Sequence, residues 1–452
     1  MRSARLLLLG AALAQAACGP SAPPEPSPSA ATPAASAGSS TQPAIQMSPA
    51  IPSDVSFGNT VDLPALQKDF DIFSWNSFIA LSWPPGANPD QKPGAGPTGD
   101  NPTTWEEWTS VADIFLPGGK APSQGAPPEI PAACRDLYKP GMKVIQQVGK
   151  TPGLLDEFSE PFNTGPLVDQ NGNYARFEIL VNQPMFEYIV GNSLYSQAGQ
   201  KAFTGTVKFP CGGGAQEGAI MVKAAWKILG ANDDRGRFHT SQALIYTPAS
   251  ANPPVRTSCS LQTVGLVGLH IGHKVQSAPQ WVWSTFEQVD NVPDEQAVKD
   301  AKLAAHYNFY SSACKDCPVN TPPPQPWIPN QPGPPSQVVR AAILPDFALA
   351  SAAAQNKTAT GLFTQINPQS VWQFYELVST QWPTNPGPGN CTAAAADPNG
   401  TPAPNFLANT TLETYVQGTT PNVSSSCIGC HGNAAMTTGA ASDFTYILER
   451  AQ

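Results

Sequence analysis

The middle of the chain alternates hydrophobic and polar positions over short segments, which is typical of strands. Between residues 220 and 228, Met221 and Lys223 share one side of an extended chain, and Val222 and Ala224 share the other. Such alternation between turn signals predicts an antiparallel sheet with one covered face. The predicted strands, all between residues 175 and 291, are ARFEILVN, GTVKFP, AIMVKAAWKIL, RFHTSQALIYTP, TVGLVGLHIGHK and QWVWSTFEQVDN.

Helical patterns lie on both sides of this region. Residues 70–83 contain many aromatic residues, lack glycine and stop before a double proline, which predicts a buried helix that ends at Trp83. Beyond residue 292 the pattern changes to helix in DEQAVKDAKLAAHYNFY, VVRAAILPDFALASAAAQ and QSVWQFYELVSTQW. We therefore expect an α+β fold, a mostly antiparallel sheet with flanking helices, followed by a short C-terminal segment.

The N-terminus, MRSARLLLLGAALAQAACGP, has the layout of a secretory signal. Two arginines precede the apolar run Leu6–Leu13, and small residues follow it. The run is too short for a permanent membrane span. Cleavage after Ala16 or Ala17 and lipoprotein cleavage before Cys18 are both open. Gln15 argues against lipoprotein cleavage, because the position three residues before the lipidated cysteine usually carries an aliphatic residue.

Composition divides the chain into four parts. Residues 1–17 are the predicted signal peptide, and residues 18–53 form a Pro/Ser/Ala tract predicted to be a disordered tether. Residues 54–385 are the predicted main α+β domain, and residues 386–452 the C-terminal segment. Ten tryptophans and nineteen phenylalanines argue for a folded core. The formal charge of −9 argues against nucleic acid as a partner and favours a basic redox partner protein.

The candidate chemistry lies in Cys427-Ile428-Gly429-Cys430-His431. In C-x-x-C-H the thiols of Cys427 and Cys430 lie about one helical turn apart and are able to bond a porphyrin, while the imidazole of His431 ligates its iron. Chance, a redox dithiol and half of a zinc site are the alternatives. Zinc needs four ligands, and the other C-x-x-C, Cys314 to Cys317, is more than a hundred residues away. We expect one covalently attached haem c, with His431 as the proximal ligand.

The cysteine count supports export and a lipid anchor. Of nine cysteines, Cys427 and Cys430 are assigned to haem, which leaves an odd number. Lipidation of Cys18 would leave an even number for disulfides, which form outside the cytoplasm. We therefore expect a periplasmic lipoprotein held at the membrane by its lipid. The six cysteines that remain are Cys134, Cys211, Cys259, Cys314, Cys317 and Cys391, and their spacing does not choose among the possible pairings.

The other axial ligand of the iron would decide between an electron carrier and a catalyst. In an extended chain His270 and His273 point to opposite faces, so only one of them meets the same haem. His270 is the candidate distal ligand because Gly268 and Gly272 leave room beside it for a flat partner. His273 ends an aliphatic face and is the weaker candidate. The remaining candidates are Met436, which is only five residues from His431, and His239 and His306.

Several other groups have both a chemical and a structural interpretation. Glu287 and Asp290 are a possible acid and base, although carboxylates beside a turn are more often solvated or caps. The C-x-x-C pair of residues 314 and 317 is either redox-active or a structural disulfide. Arg235 and Arg237 are possible charge stabilisers near an open haem face.

Three segments resemble bacterial exported proteins of the cytochrome c family that have a single C-terminal C-x-x-C-H motif. The segments are GLHIGHKVQSAPQWVWSTFEQVDNVP, FLANTTLETYVQ and SSCIGCHGNAA with SDFTYIL, and the likeness runs from about residue 65 to the end. The resemblance implies thioether bonds at Cys427 and Cys430 and a proximal ligand at His431. It singles out His270 and His273 without giving them a role, and it implies no particular reaction.

Three functions are compatible with these features. The first is a periplasmic monohaem c-type cytochrome that transfers single electrons, so that the protein is an electron carrier more than a substrate-turnover enzyme. The second is a haem-c oxidoreductase with an open, peroxidase-like distal pocket, for which the large domain would build the pocket. The third is a non-enzymatic binding or sensor lipoprotein that carries a haem.

Overall fold

The computed structural model describes most of the chain beyond the N-terminal tract. Gln42–Gln452 form one compact unit, so the C-terminal segment packs with the main domain. The predicted signal peptide and Cys18 lie outside the described residues. The described residues are 43–58, 62–87, 102–123, 125, 130–145, 164–251, 254–328, 330–384, 391, 400–419 and 425–452.

Strands and helices alternate irregularly along the chain, as expected for an α+β protein. The strands are β1 (Thr109–Ser110), β2 (Lys143–Ile145), β3 (Arg176–Val181), β4 (Ile220–Ile228), β5 (Thr240–Thr247), β6 (Ser250–Ala251), β7 (Pro254–Val255), β8 (Ser258–Val275), β9 (Ala278–Gln288), β10 (Tyr375–Pro383) and β11 (Pro402–Ala403). The α-helices are α1 (Leu63–Leu81), α2 (Val111–Ile114), α3 (Gln183–Gly191), α4 (Gln197–Ala202), α5 (Glu295–Lys299), α6 (Asp346–Ile366) and α7 (Cys427–His431). Short 3-10 turns lie at Thr104–Glu107, Pro117–Gly119, Ala132–Cys134, Arg235–Arg237, Val371–Phe374, Thr414–Val416 and Tyr446–Arg450.

A large sheet organises the domain, and β8 is its longest strand. The main order is β1-β3-β4-β8-β9-β10-β11, and β5 pairs with β8 beside the end of β4. Every pairing is antiparallel except that of β2 with β5. In this register His270 lies opposite Lys223 on β4 and opposite Thr285 on β9. The prediction of an α+β fold with a mostly antiparallel sheet is confirmed.

Both faces of the sheet are covered, so the prediction of one covered face is wrong. On one face Leu269 and Ile271 pack in a core with Trp75 and Phe78 of α1. On the other face Met221 and Trp283 pack with the C-terminal segment, including Ile428 and Phe444. The second face carries polar side chains and still meets this segment, whereas an alternating pattern predicts a polar face toward solvent.

Helix α1 follows from its local sequence. The Asp62 side chain accepts a hydrogen bond from the Ala65 amide, and Pro64 occupies the first turn, where its missing N–H costs nothing. Aromatic residues on more than one side of the helix are buried, because α1 lies between the sheet and α6. The helix ends at Leu81, two residues before the predicted end.

Four predicted elements differ from the structure. The segment predicted as helix at 369–382 is mostly strand β10, which pairs antiparallel with β9. GTVKFP forms no strand, and the helix predicted over 294–310 is limited to α5, Glu295–Lys299. Residues 338–345 are not helical, because Pro345 marks the start of α6. Pairing partners far along the chain override local propensity in β10.

The tether predicted to extend to residue 53 is shorter than expected. Ile45 is buried in the core, and the Gln46 amide donates to the side chain of Asn76 in α1. The Ser53 hydroxyl donates to the Gly214 carbonyl. Residues 43–53 are therefore part of the folded domain, because Ile45 is buried in its core and Met47 and Ile51 pack against that core.

The six cysteines other than Cys18, Cys427 and Cys430 all form disulfides. The pairs are Cys134–Cys259, Cys211–Cys391 and Cys314–Cys317. The structure confirms the predicted disulfides. It also shows which of the possible pairings forms. The second C-x-x-C is a disulfide, so it is not available to bind zinc.

The disulfides should differ in their contribution to stability. Cys134 and Cys259 are 125 residues apart, whereas Cys314 and Cys317 are three apart. A crosslink that closes a longer loop removes more entropy from the unfolded chain. We expect Cys134→Ser/Cys259→Ser to lower the free energy of unfolding by about 2–5 kcal/mol in urea titrations. The matched control Cys314→Ser/Cys317→Ser should cost clearly less, and equal losses would contradict this ranking.

Candidate functional site

The C-x-x-C-H motif forms α7, a single turn of helix fixed to the sheet. The Ser426 side chain caps the helix by accepting from the Gly429 amide. The Ile428 amide donates to the Gln381 side chain on β10 at 2.8 Å. Ile428 itself is buried in the core of this face. The motif is thus held at a defined position by a capping bond, a strand and a buried side chain.

The two cysteines of the motif are thiols in a domain whose other described cysteines are disulfide-bonded. Cys427 and Cys430 are the free cysteines of the described ranges. Burial raises the pKa of both thiols above the usual value. For Cys427 the nearby charge of Glu413 is the next largest cause. Both groups are protonated at neutral pH and are not partners in a disulfide.

The imidazole of His431 has a fixed tautomer and orientation. Its Nδ1 lies 2.7 Å from the Phe444 carbonyl, and a carbonyl only accepts, so Nδ1 carries the proton. The lone pair is therefore on Nε2. The ring centre lies 4.2 Å from that of Trp283 and 5.3 Å from that of Tyr446. Burial lowers the pKa of His431 to about 4, so the ring is neutral at pH 7, as a metal ligand must be.

A polar cluster of Lys223, His270 and Glu413 lies near the motif. His270 Nε2 is 2.9 Å and 3.0 Å from the two carboxylate oxygens of Glu413. Burial opposes ionisation of Glu413, but the interactions with His270 and Lys223, including the hydrogen bond from His270, outweigh it, so the pKa of Glu413 is below its usual value. The charge of Glu413 acts on Cys427 and Cys430. The cluster and the motif therefore form one site.

The loop 409–413 carries Glu413 to His270. The Asn409 side chain donates to the Thr285 hydroxyl at 2.8 Å and to the Phe286 carbonyl at 2.9 Å, which anchors the loop on β9. The Asn409 amide donates to Glu413 at 3.0 Å. The Glu413 carboxylate is thus held both by its own loop and by His270, and it has little freedom to leave the site.

Glu287 anchors the same loop and is not positioned as an acid or base. Its buried carboxylate accepts from the amide and the hydroxyl of Thr410, each at 2.6 Å, and pairs with Arg340 at 2.9 Å. Asp290 forms a two-bond ion pair with Arg237 at 2.6 and 2.8 Å. Both carboxylates are fully engaged in structural contacts, so the acid/base interpretation of this pair does not fit the structure.

Of the histidines considered as ligands, His270 alone lies at the motif. His273 points to the helix-covered face, where its ring centre lies 5.3 Å from that of Phe73 and its Nε2 bonds to the Glu217 carbonyl at 2.6 Å. His239 is buried against Trp372 and bonds to Glu106, and His306 is half exposed near Asp233. The split of His270 and His273 between opposite faces, expected from the pleat, is what the structure shows.

The reason given for His270, free space over its flanking glycines, is wrong. A Cβ added to Gly268 would lie 2.1 Å from the Thr411 hydroxyl oxygen, and one added to Gly272 would lie 3.2 Å from the Met221 methyl carbon. The glycines let the loop 409–413 and the Met221 side chain approach the sheet. Met436 is buried in the same apolar cluster as Ile428.

The residues present fit a covalently attached haem. Two unpaired thiols stand one turn apart, and His431 presents the lone pair of Nε2. Within those residues no group of three or more His, Cys, Asp or Glu side chains is placed to hold a metal ion by itself. A haem requires only the single imidazole and the two thiols from the protein.

Sequence reasoning missed the groups that hold the site together. Glu413, Gln381 and the Phe444 carbonyl contact the motif or His270 from positions distant in the chain. Residues 406–417, which contain Glu413, belong to one of the segments that carry the resemblance described above, and that was the available signal for it.

Comparisons of the chain with known protein families, with curated proteins and with solved structures find no match. None of the described helices combines the length and apolar character needed to cross a membrane.

Gly268 should tolerate no side chain. In Gly268→Ala the new Cβ would collide with the buried Thr411 hydroxyl, which is itself bonded to the Asn409 side chain. We expect a loss of about 1–3 kcal/mol in the free energy of unfolding, measured in urea. Gly191→Ala is the control, because a Cβ there meets nothing within 4 Å. A loss in the control as large as in Gly268→Ala would contradict the close approach of the loop.

Proposed function

We propose that this protein is an exported monohaem c-type cytochrome that transfers single electrons. The observation that carries the proposal is α7. It presents two unpaired thiols and a neutral imidazole with a free Nε2 lone pair, in a domain whose remaining described cysteines are all disulfide-bonded.

Each residue of the motif has a separate task. A bound haem supplies an iron that cycles between two oxidation states one electron apart. Cys427 and Cys430 would hold the porphyrin through thioether bonds, and His431 would ligate the iron through Nε2. Trp283 and Tyr446 flank the imidazole. The short C-terminal segment is too small to enclose a porphyrin alone, so the sheet on which it packs would cover the rest.

His270 is the residue that would supply a second protein ligand to the iron. When Nε2–H donates to Glu413, the lone pair of the ring lies on Nδ1. Histidines that bind metals commonly donate their other N–H to a carboxylate, which orients the ring and strengthens the ligand. The His270–Glu413 pair has this arrangement. An iron with two protein ligands changes oxidation state with little rearrangement, which suits an electron carrier.

Three disulfides support a location outside the cytoplasm, where they form and persist. With the N-terminal signal they favour a periplasmic protein, and we extend the proposal to a lipid anchor at Cys18. The net charge of −9 favours a basic redox protein as the partner.

The His270–Glu413 pair also favours a second candidate, a haem oxidoreductase. If the iron has an open face, an imidazole bonded to a carboxylate is an acid/base pair able to move a proton to or from a substrate. Arg237 has no part in it, because it pairs with Asp290. The two candidates differ in whether the sixth position of the iron is filled by His270.

Spectra of the purified protein, made in a host with haem-attachment machinery, decide between them. We expect a pyridine haemochrome of c type and a low-spin ferric EPR spectrum that turns high-spin in His270→Ala. His273→Ala is the matched control and should stay low-spin, because its ring lies on the other face of the sheet. A high-spin wild type that binds cyanide would replace the carrier by the oxidoreductase. Absence of a haemochrome would contradict both.

A further inference from the structure

The carbonyl that orients His431 belongs to a strained turn. Asp443 and Phe444 have backbone φ angles of 54° and 67°, in the left-handed region that residues with side chains rarely adopt. Phe444 supplies the carbonyl that accepts the proton of His431 Nδ1 at 2.7 Å. Such a conformation persists only where the surroundings hold it.

A buried ion pair holds this turn. The Asp443 carboxylate accepts from the Lys274 ammonium and, at 2.7 Å, from the Phe209 amide. Only 4% of the Lys274 side chain and 10% of the Asp443 side chain are exposed. The Ser442 hydroxyl adds a bond to the Thr445 carbonyl at 2.7 Å, which closes the turn from the other side.

Lys274 itself is fixed by the sheet. Its amide donates to the Ala219 carbonyl at 3.0 Å, and its carbonyl accepts from the Gly212 amide at 2.7 Å. Lys274 is four residues beyond His270 on β8, and therefore on the same face. A continuous set of contacts thus runs from β8 through Lys274, Asp443 and the Phe444 carbonyl to His431.

We propose that Lys274 and Asp443 are positioning residues for His431, which fix the Phe444 carbonyl and through it the orientation and basicity of the imidazole. The inference rests on the proposed function, because it assigns these residues the task of setting the reduction potential. A stronger bond from Nδ1–H makes the imidazole a better donor to iron. That favours the ferric state and lowers the potential.

The variant that tests this is Lys274→Met/Asp443→Asn. Removing either partner alone would leave the other charge buried and unpaired, which destabilises the fold for unrelated reasons. The double variant removes one positive and one negative charge, so the net charge near the site is unchanged. Lys274→Gln/Asp443→Asn keeps a polar pair and serves as a milder second variant if the first does not fold. Arg237→Gln/Asp290→Asn, a charge-neutral change in an ion pair outside the site, is the control.

The first readout is made on haem-free protein, by NMR of the His431 Nδ1 proton. Loosening the Phe444 carbonyl should increase the exchange rate of this proton with solvent about tenfold or more in the Lys274/Asp443 variants, with no change in the control. Wild-type exchange rates in folded Lys274/Asp443 variants would overturn the proposal. This result does not depend on haem attachment.

The second readout is the reduction potential of the haem-loaded protein. We expect the Lys274/Asp443 variants to favour the ferrous state by about tenfold at a fixed ambient potential, a shift of about 59 mV to more positive values. The control should keep the wild-type potential. An unshifted potential in a variant that binds haem would overturn the positioning role and leave the proposed function intact. Failure of the wild type to attach haem would instead count against the proposed function.

Discussion

The pleat of β8 is the constraint on which the rest of the structure depends. Because side chains alternate across a strand, Leu269 and Ile271 are directed to one face and His270 to the other. The aliphatic face packs on α1 and α6 and supplies the largest core. The opposite face receives the C-terminal segment and the loop 409–413, so a shift of one residue in register would exchange core and site.

Both imidazoles of the proposed site are fixed to this strand. His270 lies on β8 and is held by Glu413, and His431 is oriented by the Phe444 carbonyl, whose turn is tied to β8 through Asp443 and Lys274. Positions defined by one strand change little relative to each other. Such rigidity would suit the proposed redox centre, whose ligands would have to keep their positions when an electron is gained or lost.

Local pattern predicted the features that local chemistry determines. The strands β4, β8 and β9, the helix α1, the C-x-x-C-H motif and the placement of His270 and His273 on opposite faces were all readable from spacing. Strand β10 was not, because its pairing with β9 overrides a helix-like composition. Spacing also does not reveal the contacts of the site, because their partners are distant in the chain. Glu413 contacts His270 across 143 residues, and Asp443 contacts Lys274 across 169. The glycines beside His270 leave no space for a flat partner, because they let the loop 409–413 and the Met221 side chain approach the sheet.

The central claim is that Cys427 and Cys430 bind a porphyrin covalently. The most direct measurement is tandem mass spectrometry of the peptide that contains residues 427–431, taken from protein exported by a host with haem-attachment machinery. The account predicts that this peptide carries the mass of one haem, bonded at both cysteines, and that peptides with the other cysteines carry none. An unmodified peptide, or one in which Cys427 and Cys430 are joined to each other as a disulfide, would contradict it.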